Sequence, residues 1–509
     1  MKFQSISYQF AALPLMTFFA YAVGLAEHGC AEVNNGDFNS VGLVMHWEGN
    51  IGGAPLANGP QSLVVWPHTT EKREFVTVRS GNRVIERILG EEVNLKELEE
   101  SIIRGEKLPK APTLGLVGAK ARAEKLVATY RILGRKVEVE PFSQSLVYAV
   151  SLTSNGIIEA IDAESGAVLW RTESGRSSLP MFGPGVSDEH VVVTNGNTLY
   201  VYELKTGNIV NSRKLIATPT ACPATLNGKA IVPSVDGRLI SYDIKDEKTP
   251  PGIIRTGQEN RIGISVSADR EFLTWPTGNR LVQARMEKLP TLWTSVNLSE
   301  PILSRPASTQ VGFLVCTVDG TVFHCTTDRD RSLQWKTRLA AQVTQSPIVN
   351  KELALVVSDE GLLFALRLSD GVDVWGRQPG NIRNVIALGH RHVYVKDSRN
   401  SLVAIDLATG MESGRTDFLL PDVIPNSIND RLFFITKQGQ LTCLREIDAV
   451  NPTFATTFTA EVEDASTKQQ SEPNKVQSKP TEDETNVFEG AGTVDEAAST
   501  ADPFTTDIP

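Results

Sequence analysis

A hairpin recurs along most of this chain. Short apolar runs flank turns that carry Gly, Asn or Asp, residue types that accept the positive φ a tight hairpin requires. The steps between eight of these turn residues are 40, 41, 41, 42, 41, 39 and 39 residues. The eight residues are Gly156, Gly196, Gly237, Gly278, Gly320, Gly361, Asn400 and Gly439. Because this period matches a propeller blade, the sequence predicts an all-β fold, an eight-bladed β-propeller of four-stranded blades over residues 136–446.

The unit from Leu146 to Trp170 shows that each repeat has two turns. The strand LVYAVSL precedes the first turn, IIEAID follows it, and a second turn ending at Gly166 leads into AVLWR. Trp closes four units, and large aromatic side chains repeated at one register typically fill the wedge between blades. We therefore interpret them as structural staples and not as cofactor platforms. The four are Trp170, Trp293, Trp335 and Trp375.

The segment Tyr148 to Trp170, echoed at Ser358 to Trp375 and Ser401 to Gly410, resembles the pyrroloquinoline-quinone-like (PQQ-like) repeat. That family includes quinoprotein dehydrogenases and the non-catalytic propeller lipoprotein of the outer-membrane β-barrel assembly machinery (BamB-type). The resemblance covers about residues 136–446. It implies a protein-binding or scaffolding propeller of the cell envelope; the alternative that it implies is a PQQ-dependent quinoprotein dehydrogenase.

The residue types expected for catalysis are not assembled in the sequence. By family resemblance, a quinoprotein dehydrogenase would use a vicinal disulfide as a lid, with calcium and an Asp base, but no two of the five cysteines are adjacent. HExxH and GxSxG motifs are also absent. The pair His390 and His392 is interpreted as turn residues and not as a metal site. We predict no enzyme activity, no catalytic or metal-binding residues, and no cofactor.

Two cysteines flank one of the repeat turns. If Asp319-Gly320 formed a two-residue turn, Cys316 would face Phe323 and Cys325 would face Leu314. The two thiols would then not be opposite each other. We interpret them as small buried hydrophobic residues.

The N-terminus indicates export. Lys2 precedes a mostly apolar run from Phe10 to Ala26, which predicts a signal peptide over residues 1–26 and a location in the periplasm or outside the cell. Two alternatives stay open: an uncleaved membrane anchor, and lipidation at Cys30, although Glu27 and His28 do not match a lipobox. The expected partners are envelope proteins, with membrane association through the N-terminal segment as an alternative.

Two segments lie outside the repeat. Residues 27–83 contain VGLVMHW (Val41 to Trp47), a candidate outer strand for the fading eighth unit. Residues 84–135 read as a small helical α/β insertion, with helices near 94–103 and 119–132 and a strand at 136–140 leading into the ring. Because it departs from the repeat, the insertion is the first candidate for a distinguishing surface.

The C-terminal segment holds most of the net charge. Residues 451–509 contain twelve Asp or Glu and three Lys, a net charge of −9 out of −10 for the chain. Their composition predicts that residues 447–509 form a disordered acidic tail. The rest of the chain is close to neutral, so no basic field exists to attract nucleic acid. We expect a monomeric ring.

Overall fold

A computed structural model describes residues 38–51, 60–80, 83–92, 94, 103–104, 113–286, 290–420, 422–436, 439–449 and 451–455. Within these ranges 32 strands form eight separate antiparallel sheets. Most of the sheets have four strands, and each sheet corresponds to one blade. The predicted eight-bladed propeller is therefore confirmed. No helix in the described part of the chain is both long and apolar enough to cross a membrane.

The strands are numbered in chain order. The first sixteen are β1 (Leu43–Asn50), β2 (Pro60–Ser80), β3 (Arg83–Leu89), β4 (Glu138–Thr153), β5 (Ile157–Asp162), β6 (Val168–Glu173), β7 (Met181–Val186), β8 (His190–Asn195), β9 (Thr198–Glu203), β10 (Ile209–Lys214), β11 (Ala224–Leu226), β12 (Lys229–Pro233), β13 (Arg238–Asp243), β14 (Gly252–Arg255), β15 (Ser265–Val266) and β16 (Phe272–Thr277). The others are β17 (Arg280–Met286), β18 (Pro290–Asn297), β19 (Ala307–Ser308), β20 (Gly312–Cys316), β21 (Thr321–Thr326), β22 (Leu333–Arg338), β23 (Ile348–Val349), β24 (Leu353–Val357), β25 (Leu363–Arg367), β26 (Ile382–Leu388), β27 (His392–Asp397), β28 (Ser401–Asp406), β29 (Glu412–Leu419), β30 (Asp422–Ile424), β31 (Leu432–Ile435) and β32 (Gln440–Glu446).

The blades follow one another along the chain. Blade 1 contains β2, β4, β5 and β6, and blades 2 to 5 take β7–β10, β11–β14, β15–β18 and β19–β22. Blade 6 has β23–β25, and an isolated bridge between Leu366 and Asp373 stands where a fourth strand would pair. Blade 7 is β26–β29. The core lies between blades: Leu355 and Val357 of blade 6, for example, are buried in one cluster with Val393 of blade 7.

Blade 8 closes the ring with a strand from the other end of the chain. Its own strands are β30, β31 and β32, and β1 adds to β32 with Leu43 opposite Glu446 and Asn50 opposite Gln440. The outer strand therefore includes Leu43 to Trp47 of the segment that the sequence suggests for this position. A short 3₁₀ turn, Asn39–Val41, precedes β1 and buries Val41 against blade 7.

The repeated turns share one backbone conformation. All eight turn residues connect the second and third strands of their blades, and their φ angles lie between 54° and 87°. Seven are Gly, which adopts this conformation without a steric penalty, and the eighth is Asn400 at φ 66°. The spacing visible in the sequence is thus the spacing of the left-handed residue between the second and third strands of each blade.

Each Trp staple joins its blade to the next one. The indole N–H of Trp170 donates to the Leu204 carbonyl at 2.6 Å, and the ring lies so close to the second turn of blade 2 that a Cβ on Gly207 would be 2.5 Å from it. Trp335 and Trp375 dock in the same way on Gly371 and Gly410. The Trp and the Gly of the next blade's second turn therefore form a matched pair. Trp293 makes the corresponding hydrogen bond to the Thr327 carbonyl at 2.7 Å.

The insertion grows out of blade 1. Strands β2 and β4 continue past the blade, with a bulge between Pro67 and Lys72, and β3 adds to the outer edge of β2. Helix α1 (Gly115–Ile132) buries Ala119 and Ala123 against this three-stranded extension. The subdomain therefore takes in the ends of β2 and β4 as well as residues within 84–135, because those two strands form its sheet. The predicted signal peptide, most of the helix predicted near 94–103 and the predicted tail after residue 455 lie outside the described residues.

The expected register of the two flanking cysteines is wrong by one residue. Cys316 pairs with Val322 and Cys325 with Phe313, because residues 317–320 form a longer connection than a two-residue turn. Both thiols are free and buried, as expected. Their burial raises the pKa of each thiol to about 12, so they are inert hydrophobic residues.

Candidate interaction face

One face of the ring carries the insertion, the start of the closing strand and residues 451–455. Since antiparallel strands alternate in direction, the connection of strands one and two and the turn between strands three and four lie on the same face, which we call the loop face. The extensions of β2 and β4 project beyond it. β1 also begins there, because Leu43 pairs with Glu446 at the end of β32. Residues 451–455 follow β32 on this same face.

A buried carboxylate joins four parts of the molecule on the loop face. Glu164, in the second turn of blade 1, accepts hydrogen bonds from Arg431 of blade 8 (2.9 and 3.3 Å), Arg87 of β3 (3.0 Å) and His46 of β1 (3.0 Å). Burial alone would raise the pKa of Glu164, but the charge of Arg431 and the hydrogen bond from His46 outweigh it and hold this pKa well below its usual range. The closing strand, blade 8 and the insertion are therefore fixed to blade 1.

A second buried ion pair fixes the base of the insertion. Arg73, just past the bulge of β2, pairs with Asp162 at 2.5 Å and with Glu91 at 3.1 Å. Burial would lower the pKa of Arg73, but the hydrogen bond and the charge of Asp162 raise it. Because breaking a buried pair leaves an uncompensated charge, this contact resists movement of the insertion against blade 1.

The bulge of β2 is held by a contact across the ring. Arg270, from the first loop of blade 4, reaches Asp188 of blade 2 at 2.5 Å and the Pro67 carbonyl at 2.7 Å. Its guanidinium lies 4.2 Å from the ring centre of Trp66, whose N–H also donates to Asp188. The hydroxyl of Thr69 donates to the same carboxylate. Loops of blades 1, 2 and 4 therefore meet at one carboxylate, although blade 4 is not a neighbour of blade 1 or blade 2.

A cavity of about 430 Å³ opens between the first loops of blades 6, 7 and 8. Residues 453–455 form one wall: the Ala455 amide donates to the Ile428 carbonyl, and Phe454 forms a bridge with Asn429. The Thr453 hydroxyl lies 2.8 Å from Nε2 of His390. The lining residues fall into an apolar set and a polar set; the apolar set includes Ile348, Val349, Leu353 and Leu388, and the polar set includes Asn350, Glu352, His390 and Asp430.

Asp430 is the unusual group of this cavity. Its side chain is buried, Oδ1 accepts from Nη1 of Arg431 at 3.2 Å, and no residue within the described ranges donates to Oδ2. Burial raises the pKa of Asp430 to about 6; the charge of Arg431 and the backbone N–H of Thr453 oppose this shift, while the nearby carboxylates of Glu164 and Glu446 add to it. Arg431 gives two hydrogen bonds to Glu164 and only one to Asp430, so Asp430 is the less satisfied carboxylate.

The predicted site residues and this cavity do not coincide. The eight turn residues lie on the opposite face and the Trp staples lie at the seams, and none of them lines the cavity. Of the two histidines, His390 lines it and His392 lies 3.6 Å from Glu446. Among the described residues no three His, Cys, Asp or Glu side chains are placed to hold a metal ion. No local sequence pattern points to Glu164 or Arg431, which are 267 positions apart.

A ring of eight antiparallel blades, with a left-handed residue between the second and third strands of each and Trp staples at several seams, defines a β-propeller. The sequence model of a family described as outer membrane protein assembly factor BamB matches residues 154–249 and 277–470, which is more than half of the chain. The chain therefore belongs to this family. At a coarse level the family indicates a protein-binding propeller module.

Solved propellers are similar to this chain at low sequence identity. BamB from Moraxella catarrhalis is 14% identical, with 58% of this chain and 93% of that chain covered and a TM-score of 0.45. The designed protein Ika8 is 15% identical, with 58% and 92% covered and a TM-score of 0.45. The C-terminal WD40 domain of Sif2 is 12% identical, with 58% and 92% covered and a TM-score of 0.44. No curated protein matches the sequence.

Proposed function

We propose that this chain is a non-catalytic, protein-binding propeller that serves as a scaffold in the cell envelope. Membership of a family described as an outer membrane protein assembly factor supports both the binding role and the envelope location. The signal-peptide pattern of residues 1–26 is consistent with that location. The partners proposed for it are envelope proteins.

The observation that carries the proposal is the rigid attachment of the insertion to the loop face. Ion pairs of Arg87 with Glu164 and of Arg73 with Asp162 hold the insertion on blade 1. A surface held in one conformation loses less conformational entropy when it binds, which favours affinity for a partner. Binding residues also concentrate on loops and insertions that a rigid scaffold positions.

The use of the buried carboxylates supports a structural role. Asp162, Glu164 and Asp188 each accept hydrogen bonds from a guanidinium group. The pKa values of Glu164 and Asp188 are lowered, so these two carboxylates are poor proton acceptors. These side chains therefore fit the positioning of loops better than acid–base chemistry.

A capture experiment tests the binding role. Crosslinked envelope extracts are passed over full-length protein, and bound proteins are quantified by mass spectrometry. The double variant K120E/K125E reverses the charge of two exposed lysines on α1, and K214E/K336E makes the same change on outer strands of blades 2 and 5. We expect one set of envelope proteins to be lost with the α1 variant, by at least about tenfold, and kept with the control.

The opposite results are equally defined. Equal capture by both variants would show that the surface of α1 does not take part in binding. No capture by the unmodified protein would contradict the proposed scaffold function. Saturable binding of pyrroloquinoline quinone with calcium, or alcohol-dependent reduction of a dye, would establish the dehydrogenase alternative.

A further inference from the structure

The cavity between blades 6, 7 and 8 has the size and lining of a binding site. Its volume, about 430 Å³, lies in the range of ligand pockets, about 300–1,000 Å³. Leu353 and Leu388 contribute apolar surface, while Glu352 and Asp430 contribute acidic groups. An apolar stem with a polar head is the kind of group that such a lining accommodates, as the side chains of Lys and Arg do.

Oδ2 of Asp430 has no hydrogen-bond donor among the described residues. A buried acceptor without a hydrogen bond costs on the order of 1–3 kcal/mol, more for a charged group. Arg431 cannot supply a further bond easily, because its three nitrogens already donate to Glu164, to Asp430 Oδ1 and to the Ala449 carbonyl. A donor that enters the cavity would relieve this cost.

The other polar groups of the cavity are engaged or exposed. His390 uses Nε2 for Thr453, and its backbone amide donates to Glu446. Glu446 also accepts from the hydroxyl of Tyr394. Lys351 and Glu352 are exposed, so water satisfies them. Asp430 is therefore the group in the cavity that most requires a cationic donor.

One wall of the cavity, residues 453–455, is itself an extended segment that pairs with the first loop of blade 8. Residues 453–455 run beside the first loop of blade 8: the Asp430 amide donates to the Thr453 carbonyl at 3.1 Å, and the Ala455 amide donates to the Ile428 carbonyl at 2.9 Å. An extended segment can thus lie against this part of the loop face, as in recognition by strand addition.

We propose that the cavity binds a Lys or Arg side chain on an extended segment of a partner protein, with the aliphatic part against Leu353 and Leu388 and the cationic head donating to Asp430 Oδ2. The inference rests on the protein-binding function proposed above. It adds the chemistry of the recognised residue and a second contact on the loop face, separate from the surface of α1.

Peptide selection tests the proposal. A heptapeptide library displayed on phage is selected on the full-length protein, and the enriched peptides are synthesised with a dye and measured by fluorescence anisotropy. We expect Lys or Arg to be enriched at one position. Replacing that residue by norleucine, which keeps the stem and removes the charge, should weaken binding at least about tenfold.

Two variants of the protein place the peptide in the cavity. Asp430→Asn removes the charge and should weaken the basic peptides about tenfold, while Glu360→Gln, an exposed carboxylate on the opposite face, should leave the affinity within about twofold. Ala408→Trp fills the cavity from an exposed lining position and should abolish binding. Ser369→Trp, the corresponding turn position of blade 6, is its control, and circular dichroism checks that each variant is folded.

Three results would overturn the proposal. Selected peptides without a basic residue would show that the cavity does not recognise Lys or Arg. Binding unchanged by both Asp430→Asn and Ala408→Trp would show that the peptides do not bind in the cavity. Neither result would affect the outcome of the capture experiment on envelope proteins. Displacement of the basic peptides by a synthetic peptide of residues 456–470 would assign the cavity to this chain's own C-terminal residues.

Discussion

The seam between blades 8 and 1 is built differently from the seam between blades 1 and 2. Both contain the Trp and Gly pair: Trp170 docks on Gly207, and Trp47 of β1 docks on Gly166 and donates to the Ala163 carbonyl at 2.9 Å. Only the closing seam adds the buried ion pairs of Glu164 with Arg431 and Arg87. Beside its Trp and Gly pair, the ordinary seam has hydrogen bonds from Trp66 and Thr69 to Asp188 and a partly exposed ion pair of Lys205 with Glu71.

The difference has a topological cause. The chain runs directly from blade 1 into blade 2, so the residues of the Trp and Gly pair at this seam are close in sequence. Blade 8 meets blade 1 through residues far apart in sequence, and closing such a loop costs more conformational entropy. Buried charges that fit only one partner can specify such a contact, as a single polar residue fixes register in a coiled coil. At this seam the same charges also hold the insertion.

The largest expected effect comes from Glu164. Glu164→Ala leaves the buried Arg431 without its main partner, so we expect the free energy of unfolding to fall by about 3–5 kcal/mol. Urea unfolding followed by tryptophan fluorescence measures it. Glu271→Ala removes a partner of Arg285 in an exposed pair at 3.2 Å and should cost less than about 1 kcal/mol.

A double variant sharpens this first comparison. Glu164→Gln with Arg431→Met removes both charges of this pair, so no buried guanidinium is left at position 431, and the double variant should be more stable than Glu164→Ala alone. A cost for Glu164→Ala no larger than that for Glu271→Ala would show that the closing seam depends on the Trp staple only.

A smaller effect is expected at the ordinary seam. Gly207 and Gly228 have the same φ of 70°, but an added Cβ would lie 2.5 Å from Trp170 at Gly207 and would meet nothing within 4 Å at Gly228. Gly228→Ala should cost about 1–2 kcal/mol through its left-handed backbone alone. Gly207→Ala must also displace the indole and should cost about 2–4 kcal/mol. Equal losses in urea unfolding would mean that the Trp and Gly contact adds no stability.

Local features could be predicted from the sequence, and contacts between distant residues could not. The turn between the second and third strands of every blade needs a left-handed residue, so the period is visible as Gly and Asn. The Trp of the closing seam, Trp47, lies outside the period and was not identified as a staple. The contacts at Asp188 bring together Trp66 and Arg270, which are far apart in sequence, and no regular spacing relates these residues. Oδ2 of Asp430 has no donor among the described residues because Arg431 donates to Glu164, to Asp430 Oδ1 and to the Ala449 carbonyl, and these contacts are defined only in the folded structure.

The smallest effect concerns the pH dependence of the closing region. Because the pKa of Asp430 is raised to about 6, the folded protein holds a proton between about pH 4 and pH 6 that the unfolded chain has released. Stability from this group is therefore present at low pH and is lost as the pH rises through 6, by up to about 1.4 kcal/mol per pH unit. Urea unfolding at pH 4.5, 5.5 and 7 measures this effect. As the pH rises over this range, the free energy of unfolding of Asp430→Asn should increase relative to that of the unmodified protein by about 1–2 kcal/mol in total.

Asp406, in the second turn of blade 7, supplies a control of opposite sign. Hydrogen bonds from the hydroxyl and amide of Thr409 lower the pKa of Asp406, so its contribution to stability is lost as the pH falls. As the pH falls, the stability of Asp406→Asn relative to the unmodified protein should therefore increase, while that of Asp430→Asn should decrease. His46, whose burial lowers its pKa, is present in both variants and cancels from the comparison. Parallel pH curves for the two variants would contradict the difference between the buried carboxyl beside the closing seam and the turn carboxylate of an ordinary blade.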